Sequence, residues 1–194
     1  MRRDLRGAVI AVIVLTIVFG LGYPALMTGL AQLAFSHEAN GSLIERDGTV
    51  VGSELAAQKF TKPEYCHPRP SGVDYNAAGT SFLNLGPTNP ELARFVHERA
   101  DEILKLEGPY NPGLTIGDIP VDAVTTSASG IDPHVSPAYA RLQARRIAAV
   151  RTLPLERVEQ LIRENTSGRS LGFLGEPGVN VLKLNLALEE ERST

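Results

Sequence analysis

Gly7-Ala-Val-Ile-Ala-Val-Ile-Val-Leu-Thr-Ile-Val-Phe-Gly-Leu-Gly-Tyr-Pro-Ala-Leu-Met-Thr-Gly-Leu-Ala-Gln-Leu-Ala-Phe35 contains no charged side chain. A bilayer core asks for roughly 20 apolar residues at about 1.5 Å each, and this run exceeds that length. A cleaved signal peptide carries an apolar stretch of only about 7–15 residues, although Arg2, Arg3 and Arg6 would suit its basic start. The reading is therefore a retained transmembrane helix. Gly20, Gly22 and Pro24 interrupt it in a manner that membrane helices tolerate. Pro24 lacks a backbone donor, which predicts a kink there or a less regular second half. Gly22 and Gly29 leave room for close approach by another helix.

Sidedness follows from charge. Arg2, Arg3 and Arg6 precede the helix, opposed only by Asp4, whereas Ser36-His37-Glu38 follows it. The bias of Lys and Arg toward the cytoplasmic side places residues 1–6 in the cytoplasm, 7–35 in the membrane and 36–194 outside the cytoplasm.

The portion beyond residue 36 has the length of one domain. With 19 basic and 22 acidic residues and no basic stripe, the chain is not built to bind nucleic acid. A single cysteine, Cys66, excludes an intrachain disulfide framework and a cysteine-rich zinc site; it reads as a half-buried thiol. Leu43-Ile44 and Val50-Val51 flank Asp47-Gly48, the pattern of a short hairpin. Leu55 to Phe60 suggests one or two helical turns. From Thr61 to Pro90 the chain is dense in Pro, Gly, Asn and Ser, a length of loop that implies a role in function. Asn89-Pro90-Glu91 opens a helix with a cap, a proline at its first position and an acid in its first turn. Ser136-Pro137 opens a second helix to about Arg151, and a third starts near Leu153 with Thr152 or Leu153 at its cap. Val121–Val124 and the alternating tail Val179–Leu188 read as strands. The class is α+β: one N-terminal transmembrane helix, then a single soluble domain with a small sheet and about three helices.

The candidate chemistry is sparse. Ser129, Asp132 and His134 invite a membrane-anchored hydrolase as the alternative reading, but Thr125-Thr-Ser-Ala-Ser-Gly lacks the first glycine of a nucleophile elbow. Asp132 reads more simply as a turn brace before Pro133. Gly72–Ser81 ends in Gly-Thr-Ser without the lysine of a phosphate loop. His67, His134 and Asp132 do not have metal-ligand spacing, so no metal is expected. Gln143, between Leu142 and the Arg145-Arg146 pair, reads as a solvated helical residue. Polar loops at 61–90 and 125–137 suit docking better than proton transfer, with His67, Arg69, Asn84, Asn89, Asp132 and His134 as partner-facing residues.

Four ordered motifs then carry a resemblance over essentially the whole chain. They are His67-Pro-Arg-Pro-Ser, Asn84-Leu-Gly-Pro-Thr-Asn-Pro, Ser129-Gly-Ile-Asp-Pro-His-Val-Ser-Pro and Val179-Asn-Val-Leu-Lys-Leu-Asn-Leu-Ala-Leu. Together they resemble the C subunit of the bacterial Kdp potassium-transporting ATPase. The resemblance implies a non-catalytic subunit of a high-affinity potassium uptake complex in the bacterial plasma membrane. Its partners would be a channel-like potassium-translocating subunit, a P-type ATPase subunit and a small single-span subunit, within the lipid bilayer. It implies assistance to ATP binding, as a catalytic chaperone, with Gln143 matching a glutamine linked to nucleotide; no covalently bound cofactor is implied. Glu176 stands where the family often has Gln, a local departure. Because the charge asymmetry exports the domain away from cytoplasmic ATP, the favoured mechanism is a cap over the extracytoplasmic entrance of the translocating subunit.

Overall fold

The computed structural model describes residues 2–79 and 84–191; Thr80 and Ser81 of the glycine-rich stretch lie outside them. Two compact units divide near Val51 and Gly52.

The first unit begins with 33 continuous helical residues, Arg2–Ala34, none of them buried. Helix α1 (Arg2–Leu15) passes through a widened π-helical stretch, Thr16–Gly22, into α2 (Tyr23–Ala34). The predicted irregularity therefore falls before Pro24, and the second half is regular. The physical reason is local: the proline ring collides with the carbonyl four residues back and offers no N–H to it, and a wider turn relieves both problems. Apolar side chains project on every side of this helix, with Leu5, Phe19 and Leu21 each about two-thirds exposed. Such a surface requires apolar surroundings. After the single turn α3 (Ser36–Ala39), β1 (Leu43–Arg46) and β2 (Thr49–Ser53) form the expected hairpin. Asp47 and Gly48 both have positive φ, 51° and 73°, as its two-residue turn demands.

The second unit packs α4 (Pro90–Glu107), α6 (Pro137–Arg151), α7 (Leu155–Glu164) and α8 (Val181–Glu190) around a small antiparallel sheet. In that sheet β5 (Gly178–Asn180) lies between β3 (His134–Val135) and β4 (Thr166–Ser167), with Val179 opposite both Val135 and Thr166. Ile147, Val158, Val179, Leu184 and Leu188 are fully enclosed at its centre. The Asn89 and Ser136 caps form as read: Asn89 Oδ1 accepts from Glu91 N and Ser136 Oγ from Tyr139 N.

Four local expectations need correction. Val121–Val124 is one helical turn, α5, after Pro120, not a strand. Only Gly178–Asn180 of the tail is extended; α8 follows, capped by Asn180 Oδ1 accepting from Lys183 N. Its buried residues Val181, Leu184, Asn185 and Leu188 keep helical spacing, which the alternating leucines disguised. Leu55–Phe60 makes only a turn, closed by Ala56 N to Ser53 O. The cap of α7 is Pro154, one residue later than read. Thr152 instead ends α6 in a left-handed conformation (φ 57°), with Leu153 N reaching Ala148 O at 2.9 Å.

Candidate functional site

Between Glu54 and Asn89 the described residues form neither helix nor strand, so the carbonyls of this long segment need partners from elsewhere. At Pro63–His67 side chains provide them. Arg146 donates from Nη1 to Pro63 O and, at 3.0 Å, to Tyr65 O. Arg151 donates from Nε to Glu64 O at 2.7 Å, and its guanidinium lies 5.2 Å from the Tyr65 ring centroid. Asn185 grips Cys66 on both sides, accepting its N–H at 2.8 Å and donating to its carbonyl at 2.9 Å. Gln143 does the same to His67, at 2.8 and 3.1 Å. Five consecutive carbonyls are thus held by four side chains from α6 and α8.

The clamp is itself braced. Arg146 Nε donates to Glu107 Oε1 at 2.8 Å, and Nη2 donates to Gln143 Oε1 at 2.9 Å. Both members of the ion pair are buried, and the second oxygen, Glu107 Oε2, has no hydrogen-bond partner among the described residues. Burial raises the Glu107 pKa, and the neighbouring guanidinium offsets only part of that. Cys66 is fully buried, more than read, and burial pushes its thiol up to about 12. Gln143 is likewise fully buried, not solvated.

A second set of contacts ties this segment to residues 126–134. Arg69 Nη1 meets Asp132 Oδ2 at 3.1 Å and Nη2 meets Thr126 O at 3.3 Å. Ser71 Oγ donates to Gly130 O at 2.6 Å, and Tyr75 Oη donates to Arg69 O at 2.9 Å. Asp132 Oδ1 accepts from His134 N at 3.0 Å, the turn brace expected of it. Burial would raise the Asp132 pKa, but the hydrogen bonds from His134 and the Arg69 charge together hold it below the ordinary carboxylate range. Ser129 Oγ accepts from Ile131 N at 3.2 Å. Among the described residues no hydrogen bond joins Ser129 to His134, so these residues build a turn where the hydrolase alternative needed a relay.

Of the proposed partner-facing residues, Arg69, Asp132 and His134 come together. His67 stands nearby, held by Gln143. Asn84 edges a separate recess beside Phe95 and Thr125, and Asn89 caps α4. Below the clamped loop opens a cavity of about 430 Å³ bounded by His67, Ser71, Tyr75, Arg99, Ile103 and Tyr139. Among the described residues no group of three or more metal-ligating side chains stands together.

Glu107, Arg146, Arg151 and Asn185 escaped the sequence reading as functional residues, though a signal existed. Gln143 sits four residues after Tyr139 and four before Ile147, and Glu107 sits four after Ile103, so both occupy the core-facing stripe. A polar residue at such a position marks a buried brace.

These features define a class of protein: an anchor-length apolar helix carrying a small α+β domain, whose buried polar side chains hold a loop in a set shape. Residues 5–190 match the family described as KdpC, the c chain of the K⁺-transporting ATPase. The potassium-transporting ATPase KdpC subunit of Rhodospirillum rubrum is 51% identical over 192 residues, covering 98% of this chain and 97% of that one. Those of Beijerinckia indica subsp. indica and Methylococcus capsulatus are 49% and 50% identical, over 97% and 95% of this chain and 94% and 96% of theirs. The chain belongs to the KdpC family, accessory subunits of the Kdp potassium-transporting ATPase.

Proposed function

We propose that the chain is a non-catalytic docking subunit: Arg2–Ala34 spans the membrane with its N-terminus in the cytoplasm, and the α+β domain caps the extracytoplasmic entrance of the potassium-translocating subunit. The observation that carries this reading is the clamp. Four side chains, three of them buried, fix a loop whose thiol, Cys66, is itself fully buried and pushed up to about 12, which suits a preorganised docking surface better than chemistry. Arg2, Arg3 and Arg6 at the start of the helix support the orientation. The helix would pack against the P-type ATPase subunit, the translocating subunit or the small single-span subunit. Gly22, Pro24 and Gly29 are the places for close approach, and the Gly29 side is open among the described residues.

The nucleotide role implied for Gln143 takes an indirect form in this reading. Its carboxamide already holds His67 N, His67 O and Arg146, so a direct contact would first break those bonds. Gln143 acts on the assembly through the loop it shapes. Deleting the domain while keeping the helix should abolish co-purification with the partner subunits or high-affinity potassium uptake. Unchanged assembly and uptake would defeat the docking reading, and protease digestion in intact spheroplasts checks the sidedness. Gln143→Ala separates the two roles: a brace lowers the melting temperature, whereas a direct contact lowers nucleotide affinity and leaves melting unchanged.

A further inference from the structure

Residues 168–177, between β4 and β5, close into a small hairpin of their own. Ser170 and Leu174 exchange both backbone bonds at 2.9 Å, Gly172 N donates to Arg169 O at 3.1 Å, and Phe173 N donates to Ser170 O at 3.3 Å. Across the base, Arg169 Nη2 meets both carboxylate oxygens of Glu176, at 2.9 and 2.8 Å. On this frame stand Leu171, Phe173 and Leu174, which are 82%, 69% and 51% exposed. A single exposed leucine is ordinary, but three large apolar side chains within four positions form a patch. Leu171 also holds a left-handed backbone (φ 54°), next to Gly172 at 82°. Glycine or asparagine adopts that conformation at lower cost. Leucine at 171 thus gains the fold neither burial nor backbone preference, and its use lies outside the domain.

Two observations select lipid as what covers the patch. The first is that the tip can leave water. The N–H groups of Ser170, Gly172, Phe173 and Leu174 are satisfied within the hairpin, and residues 170–175 carry no charge. A bilayer interface demands both. A protein partner takes its register from polar contacts around an apolar centre, and Ser170 is the one polar side chain in 170–174. The second observation is the leash. The apolar helix ends at Ala34, and residues 35–42 reach at most about 30 Å before β1 and β2 fold back and lead into the domain at Gly52. A membrane-anchored helix therefore keeps the domain surface at high local concentration over the bilayer.

We propose that the tip Leu171–Leu174 dips into the bilayer interface and gives the domain a second attachment to lipid beside the anchor helix. The inference rests on the membrane reading of Arg2–Ala34. The chain has no tryptophan, so single tryptophan variants of the full-length chain each report from one place. The chain is reconstituted in liposomes of phosphatidylcholine and phosphatidylglycerol brominated on the acyl chain near the headgroup. Emission from Phe173→Trp should shift to shorter wavelength and be quenched, whereas Glu98→Trp, on the exposed side of α4, should show neither effect. Phe19→Trp, in the helix, monitors the anchor. Quenching at position 19 without quenching at 173 overturns the tip and leaves the membrane reading standing, and no quenching at 19 overturns both. Equal quenching at 98 and 173 overturns the assignment to the tip. Adding Leu171→Asn to Phe173→Trp should weaken docking of the tip about 10-fold, the scale of half-burying a leucine. The melting temperature should not fall, because asparagine accepts the left-handed backbone. Unchanged quenching in that double variant overturns the role given to Leu171.

Discussion

In the helix Arg2–Ala34 the backbone closes its own hydrogen bonds; at Pro63–His67 the carbonyls are held by side chains 76 to 119 positions later in the chain. The first solution is local, and the apolar side chains of the helix face its surroundings. The second depends on the whole domain having folded, because Arg146, Arg151, Gln143 and Asn185 reach the loop only once α6 and α8 are in place. A self-contained helix tolerates changes of side chain as long as they stay apolar. The clamped loop takes its shape from its braces and does not tolerate their loss.

That contrast breaks most strongly at Arg146. Arg146→Ala removes the donor to two carbonyls, Pro63 O and Tyr65 O, and leaves Glu107 buried without its cation, so the domain should lose about 3–5 kcal/mol in chemical denaturation. Replacing Glu107 and Arg146 together by Leu and Met should recover part of this, because no unpaired charge then remains. In the helix the corresponding change is Val14→Arg. On the membrane reading it should disfavour insertion by about 2.5–3.5 kcal/mol yet leave denaturation of the α+β domain untouched. An effect on domain stability equal to that of Arg146→Ala would erase the distinction between the two regions.

The two carboxamides sharpen the comparison within the loop. Asn185→Ala leaves the N–H and C=O of buried Cys66 unpaired and should cost about 2–3 kcal/mol. Gln143→Ala does the same at His67, which is half-buried and open to the cavity, and should cost about 1–2 kcal/mol as water replaces the lost partner. Equal losses at the two sites would show that burial does not set the cost.

Legibility in the sequence follows the same division. The apolar helix, the hairpin turn at Asp47-Gly48 and the caps at Asn89 and Ser136 were readable because each rests on neighbouring residues. Tail residues 181–188 were misread because leucines at every second position also fall at helical spacing, and only Asn180, as a cap, distinguishes the two. The clamp was not readable as a clamp. The motifs His67-Pro-Arg-Pro-Ser and Val179-Asn-Val-Leu-Lys-Leu-Asn-Leu both pointed to this region, but nothing in either states that Asn185 holds the residue before His67. Pairing of that kind is a property of the folded chain. The sequence signal was weaker: glutamine and arginine at core-facing positions of a helix, which a solvated reading passes over.

The smallest predicted effect distinguishes the clamped loop from the turn it is tied to, by pH. Burial lowers the His67 pKa, an effect that its bond to Lys62 O only partly offsets and that Arg146 reinforces. The folded chain therefore resists protonating His67 while the unfolded chain accepts the proton near the ordinary value of about 6.5. Stability linked to His67 is complete above that pH and is lost as pH falls through it toward the depressed folded value. Asp132 is also depressed, but it is a carboxylate. Its contribution is complete above its ordinary value of about 3.9 and is lost only as pH falls below that toward its folded pKa. Thermal melting between pH 7.5 and 3 should show two separate declines. His67→Gln should remove the upper one, and Asp132→Asn should diminish the lower, to which the depressed Asp118 and Glu191 also contribute. If His67→Gln leaves the decline near neutral pH unchanged, burial in the clamped loop does not hold the imidazole neutral.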